Sequence, residues 1–174
     1  VTEHDPYRVM TVCTGNICRS PMAEVVLRAR FAEAGLADRV VVDSTGISDE
    51  ERGNPIDRRA RTALAARGYE VPGHAARQTS GADLREHDLV LAMTSSHARA
   101  LRRLGGDVAG DRVRMYRSFD PAAPQVPEGG PERLLDVDDP WYGGAADFEH
   151  CLDEVEAAAD GVVAHVRAVL DARG

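Results

Sequence analysis

The chain has 174 residues, 43% apolar and 29% charged, the balance of an ordinary soluble protein, and its length suits one domain spanning residues 1–174 with its own core. A net charge of −8 argues against general binding to nucleic acid or membrane surfaces, whose polyanions the field would repel, so a phosphate group must be captured locally. No stretch approaches the ~18 apolar residues of a membrane span, and three cysteines are too few for a disulfide scaffold, which favours thiol chemistry in a reducing compartment.

In chain order, residues 1–6 lack the basic start and long apolar run of a signal peptide, which makes a cytoplasmic location the expectation. Residues 8–12 read as a buried strand entering a turn at Gly15-Asn16. A helix should follow: Ser20 can cap it, Pro21 suits its first turn, Glu24 favours its positive end, and Val25, Val26, Leu27 and Phe31 form an apolar face until Gly35. Residues 40–42 make a second strand, and residues 57–67 a helix introduced by Gly53-Asn54-Pro55 and stopped by Gly68. A third strand at 88–93 precedes a helix at about 96–104. A fourth strand at 113–115 is followed by a Pro/Gly-rich loop at 121–131 and a long amphipathic helix within 147–172. This alternation predicts an α/β fold, a three-layer α/β/α arrangement around a four-stranded parallel sheet, with ligands beyond the carboxyl ends of the strands.

The first turn carries the chemistry. Cys13-Thr14-Gly15-Asn16-Ile17-Cys18-Arg19-Ser20 lies between a strand and a helix start. Five residues between Cys13 and Arg19 suffice to wrap backbone N–H groups around a tetrahedral anion, and Arg19 can return to its oxygens in a two-point contact. A helix N-terminus and a guanidinium both favour thiolate, so Cys13 is the candidate nucleophile. Gly15 and Asn16 make the tight curvature accessible.

The loop resembles that of the low-molecular-weight protein tyrosine phosphatases, Cys-x-Gly-Asn-x-Cys-Arg-Ser-Pro. A second family motif is similar to Asp139-Pro140-Trp141-Tyr142-Gly143, and further likeness runs through Asp43-Ser44, Gly53-Asn54-Pro55 and His74-Ala75-Ala76-Arg77-Gln78. The resemblance implies a phosphocysteine intermediate, with Asp139 as the acid that protonates the leaving phenolate and then the base that activates water. It implies that Ser20 stabilises the thiolate, that Asn16, Ser44 and His74 hold the loop, and that Trp141 and Tyr142 wall the substrate. It also implies a reversible disulfide between Cys18 and Cys13. The chain departs from the family at Ser48-Asp49-Glu50-Glu51, where an aromatic residue is usual near Glu50; an acidic rim there would disfavour acidic phosphopeptides and admit basic ones.

Phosphotyrosine proteins are the expected substrates, inorganic phosphate the product and inhibitor, and a monomer or weak dimer the expected state. No cofactor is called for, and scattered histidines without a Cys-x2-Cys pair suggest no metal site. Cys151 reads as a packing residue, and Arg58-Arg59-Ala60-Arg61 as a solvated helix face or a docking patch for phosphoproteins. Two alternatives are an arsenate reductase of the same fold, disfavoured because no cysteine lies between Cys18 and Cys151, and a phosphotyrosine-binding module without turnover, which would need neither nucleophile nor acid.

Overall fold

The computed structural model describes residues 5–174; Val1–His4, which carry much of the signal-peptide reading, lie outside the described residues. Four parallel strands, β1 (Tyr7–Cys13), β2 (Val40–Gly46), β3 (Leu89–Ala92) and β4 (Val113–Met115), form one sheet in the order β2-β1-β3-β4. Among the described residues five α-helices accompany them: α1 (Arg19–Glu33), α2 (Arg58–Ala66), α3 (Gly81–Glu86), α4 (Ser95–Gly105) and α5 (Ala145–Arg173).

Strand periodicity sorts the core into two halves. Val9, Val42, Leu89 and Leu91 face one way, onto α1, α2 and α5 through Phe31, Leu64, Leu152 and Val155. Met10, Val12, Val90, Ala92 and Val113 face the other way, onto Leu84 of α3 and Ala98 and Leu101 of α4. Both faces are therefore covered, as the near-continuous apolar runs of β1 and β3 require. The chain leaves β1 toward β2 on one side while β3 pairs on the other. The crevice at this reversal, beyond Cys13 and Ala92, is where a sheet of this kind receives its ligand.

Two local expectations change. Ser20 does not cap α1: the helix starts at Arg19 with Cys18 at the cap position and no side-chain cap, because the Ser20 hydroxyl is engaged elsewhere. Glu24 is not a first-turn acid; it lies buried one turn further on, where desolvation foremost raises its carboxyl. Helix α3, absent from the sequence reading, is closed by a reciprocal capping box between Ser80 and Asp83.

β2 runs past its apolar start into Asp43 and Ser44, and this polar half is held from outside the sheet. His87 is 3% exposed, with Nδ1 2.8 Å from the Asp83 carbonyl and Nε2 2.8 Å from Asp43 Oδ1. Burial alone would depress its pKa, but the hydrogen bond and charge of Asp43, helped by Asp83, outweigh that and raise it. A raised folded-state value means that the stabilisation is complete below the unfolded value of about 6.5 and is lost as pH rises through the folded one. His87→Gln should therefore be less stable than wild type in urea at low pH, by about 1–3 kcal/mol, with the gap narrowing as pH rises. A gap that widens with pH would contradict this assignment.

Candidate active site

The loop from Cys13 to Ser20 turns at Asn16, which has φ 61°, the only positive φ outside glycine among the described residues. Asparagine tolerates that region better than branched residues do. Here it is held from all sides. Its Nδ2 donates to Ser20 Oγ and Ser44 Oγ, each at 2.9 Å, its Oδ1 accepts from the Arg77 amide at 3.0 Å, and its carbonyl accepts from His74 Nε2 at 2.6 Å. His74 therefore carries its proton on Nε2.

Three more carbonyls of the loop are likewise taken up by amides outside it. Cys13 O accepts from the Ile47 amide at 3.0 Å, Thr14 O from Ser48 at 2.9 Å and Ile17 O from Asp57 at 2.8 Å. Among the described residues, no amide from Thr14 to Cys18 donates to a protein acceptor. Residues 15–18 are half-buried or buried, where N–H groups require partners, and they lead into the start of α1, where the helix dipole adds a preference for negative charge. An oxyanion fits that demand.

Cys13, the last residue of β1, is 3% exposed, and its Sγ lies 3.0 Å from Ser20 Oγ. Ser20 Oγ accepts from Asn16, and its one proton can be given to the sulfur or to the Thr45 carbonyl at 3.3 Å. Arg19 is 5% exposed; its Nη1 donates to the Val137 carbonyl at 3.0 Å, and its Nη2 lies 3.4 Å from both Thr14 Oγ1 and Asp139 Oδ2. The predicted nucleophile loop and predicted acid are thus brought together through one guanidinium.

His97, which no sequence pattern marked, approaches Thr14 Oγ1 with Nε2 at 2.8 Å. Burial, and then the Arg19 charge, press its pKa down to about 3, so it is neutral at ordinary pH. Cys18 is buried too; desolvation first, then the Asp57 carboxylate, push its thiol well above the usual range. Cys151 packs in the core at 1% exposure, and burial raises its thiol to about 12.

The segment bearing Asp139 is pinned at both ends. On one side Asp136 Oδ1 accepts from the Ser95 amide at 2.7 Å and the Val137 amide donates to Met93 O at 2.8 Å. On the other, Arg59 donates to the carbonyls of Trp141 and Gly143 at 3.1 and 3.0 Å. Arg59 is consequently no solvated helix face, although its neighbours Arg58 and Arg61 are exposed. Trp141 is 42% exposed and can form a wall, and Tyr142, 89% exposed, is no buried packing residue. On the opposite rim Glu50 is exposed, and it is Glu51 that lies over the loop: a side chain at Gly15 would meet Glu51 Cγ at 3.1 Å.

Fold and loop together define an α/β protein with an anion-binding turn, a cysteine at its base and an arginine on its flank. The model of the low molecular weight phosphotyrosine protein phosphatases matches residues 8–171, and the chain belongs to that family. A low molecular weight protein-tyrosine-phosphatase of Streptomyces coelicolor is 48% identical over 170 residues, covering 96% of this chain and 98% of its own. Low molecular weight protein-tyrosine phosphatase A of Mycobacterium tuberculosis is 42% identical, covering 91% and 90%. Among solved structures, YfkJ of Bacillus subtilis superposes with a TM-score of 0.84 at 28% identity over 95% of this chain and 98% of its own. A protein tyrosine phosphatase of Entamoeba histolytica gives 0.83 at 26% identity, covering 93% and 97%.

Gly46, the last residue of β2, tests the loop's fit. A Cβ there would lie 2.7 Å from the Thr14 carbonyl oxygen and 3.0 Å from the Asn16 amide. Gly46→Ala should force the loop off its frame and weaken inorganic phosphate binding at least about tenfold, or 1.4 kcal/mol, by calorimetry. Unchanged affinity would mean that the loop is not shaped against β2.

Proposed function

We propose that the chain hydrolyses phosphotyrosine through a phosphocysteine formed on Cys13. Phosphate oxygens sit on the amides from Thr14 to Arg19 and on the Arg19 guanidinium, with Cys13 Sγ beneath the phosphorus. The thiolate forms the S–P bond as the P–O bond to tyrosine breaks, and Asp139 passes its proton to the departing oxygen. Asp139, now a carboxylate, takes a proton from water as that water attacks phosphorus; the S–P bond breaks, inorganic phosphate leaves, and the Ser20 hydroxyl steadies the returning thiolate. The observation that carries this reading is that the carbonyls of Cys13, Thr14, Asn16 and Ile17 are taken up by groups outside the loop while, among the described residues, the amides of residues 14–18 have no protein acceptor. Inorganic phosphate, bound by the same groups, is an inhibitor as well as a product.

Residues 1–174 act as one catalytic domain in this reading. Trp141 supplies the apolar face for the phenyl ring, and the exposed acids Asp49 and Glu50 lie on the rim and favour basic flanking residues. Among the described residues no helix is long and apolar enough to cross a membrane. All three cysteines are free thiols, the state that a reducing compartment such as the cytoplasm maintains, where signalling phosphoproteins are the substrates.

Without added metal, the wild type should turn over p-nitrophenyl phosphate and phosphotyrosine peptides. Cys13→Ser should abolish turnover while retaining phosphate binding. Asp139→Ala should lose about 10²–10⁴-fold on phosphotyrosine and far less on the activated p-nitrophenyl ester, whose leaving group needs no proton. Equal losses on the two esters would contradict the role of Asp139.

Cys18 serves in this account as the resolving thiol. If peroxide oxidises Cys13 to a sulfenic acid, Cys18 sulfur displaces water from it and forms a disulfide that a dithiol later reduces. Because burial and Asp57 hold Cys18 protonated, resolution should be slow and quicken with rising pH. Dithiothreitol should restore wild type after mild peroxide but not Cys18→Ser; equal recovery of both would reject the disulfide.

A further inference from the structure

Arg59 makes more directed contacts than any expectation for an exposed helix residue allows. Its Nε and Nη2 meet the two oxygens of Asp57 at 3.2 and 3.1 Å, its Nη1 reaches the Trp141 and Gly143 carbonyls, and its guanidinium carbon lies 5.3 Å from the Trp141 ring centre and 4.6 Å from that of Phe148. Asp57 in turn caps α2 through the Arg59 amide and donates its own amide to Ile17 O in the phosphate loop. One continuous chain of contacts therefore runs from the nucleophile loop, through Asp57 and Arg59, to the segment that begins with Asp139.

We infer that Arg59 is a positioning residue for the general acid, a strut between the phosphate loop and the Asp139–Gly143 segment that sets where Asp139 meets the leaving oxygen. The inference rests on the proposed role of Asp139. Several features support it. The segment from Asp139 to Gly143 has little core of its own: only Pro140 is buried, while Trp141, Tyr142 and Gly143 are exposed. Upstream, Asp136 and Val137 are tied to the end of β3 and the start of α4; downstream, the Gly144 amide donates to Asp147 Oδ2 at 2.8 Å and the Asp147 side chain lies against Gly143, which ties the far end to the start of α5. Between those two ends, Arg59 joins the Trp141 and Gly143 carbonyls of this exposed stretch to α2. A planar fork suits the task, since its fixed N–H donors meet a carboxylate and two carbonyls while its carbon lies over the Trp141 and Phe148 rings. Lysine has neither the fork nor the plane.

A strut for the acid should be felt where the leaving group needs a proton and not where the phosphate is held. Arg59→Ala and Arg59→Lys should both lose at least about tenfold more kcat/KM on a phosphotyrosine peptide than on p-nitrophenyl phosphate, with the inhibition constant of inorganic phosphate within about twofold of wild type. In an Asp139→Ala background, Arg59→Ala should remove little more. Full activity of Arg59→Lys, equal losses on the two esters, or losses that multiply in the double variant would each overturn the strut. Circular dichroism of Arg59→Lys, which keeps charge and stem, guards against a fold defect. The reading beneath it fails separately: if Asp139→Ala alone shows no leaving-group dependence, Asp139 is not the acid whatever Arg59 does.

Discussion

A single left-handed residue organises the site. Asn16 turns the chain where its amides are left without protein acceptors, and its fully buried side chain is satisfied by Ser20, Ser44 and the Arg77 amide while His74 takes its carbonyl. These partners come from the start of α1, the end of β2 and the segment at 74–78, so the turn cannot relax without breaking hydrogen bonds in three places. Each break leaves a buried polar group unpaired, at about 1–3 kcal/mol. Preorganisation of this kind is what lets backbone dipoles stabilise developing charge without paying reorganisation during reaction.

The segment bearing Asp139 is anchored on both sides. It hangs between the β3–α4 junction and Arg59, and meets the loop at Arg19, whose guanidinium spans Val137, Thr14 and Asp139. Neutral His97 behind Thr14 adds no second positive charge next to Arg19. With the Arg19 guanidinium between the loop and the anchored segment, Asp139 is held beside residues 13–20, and Trp141 and the exposed Asp49 and Glu50 lie around it.

The phosphate loop was legible in the sequence because its determinants are local: an apolar strand, Gly15-Asn16, and a Ser-Pro helix start. The alternating strands and helices were legible for the same reason, through periodicity. What escaped depends on space. Ser20 has the composition of a cap, but its hydroxyl is shared between Asn16 and Cys13. The polar end of β2 is unreadable as strand because its burial comes from His87 and Arg77, far along the chain. Arg59 looks like a solvated charge until Trp141 and Phe148 fold onto it, and Gly46 is an ordinary glycine until Thr14 passes within 2.7 Å of its missing Cβ. The Ser80–Asp83 box was a signal that could have revealed α3.

Rapid acid quench during turnover of a phosphotyrosine peptide, followed by mass spectrometry of the peptide containing Cys13, tests the central claim most directly. The account predicts a phosphoryl group on Cys13 that forms and decays within a turnover and is missing from Cys13→Ser. Turnover by wild type with no phosphorylated Cys13, or with the phosphoryl group on another side chain, would contradict it.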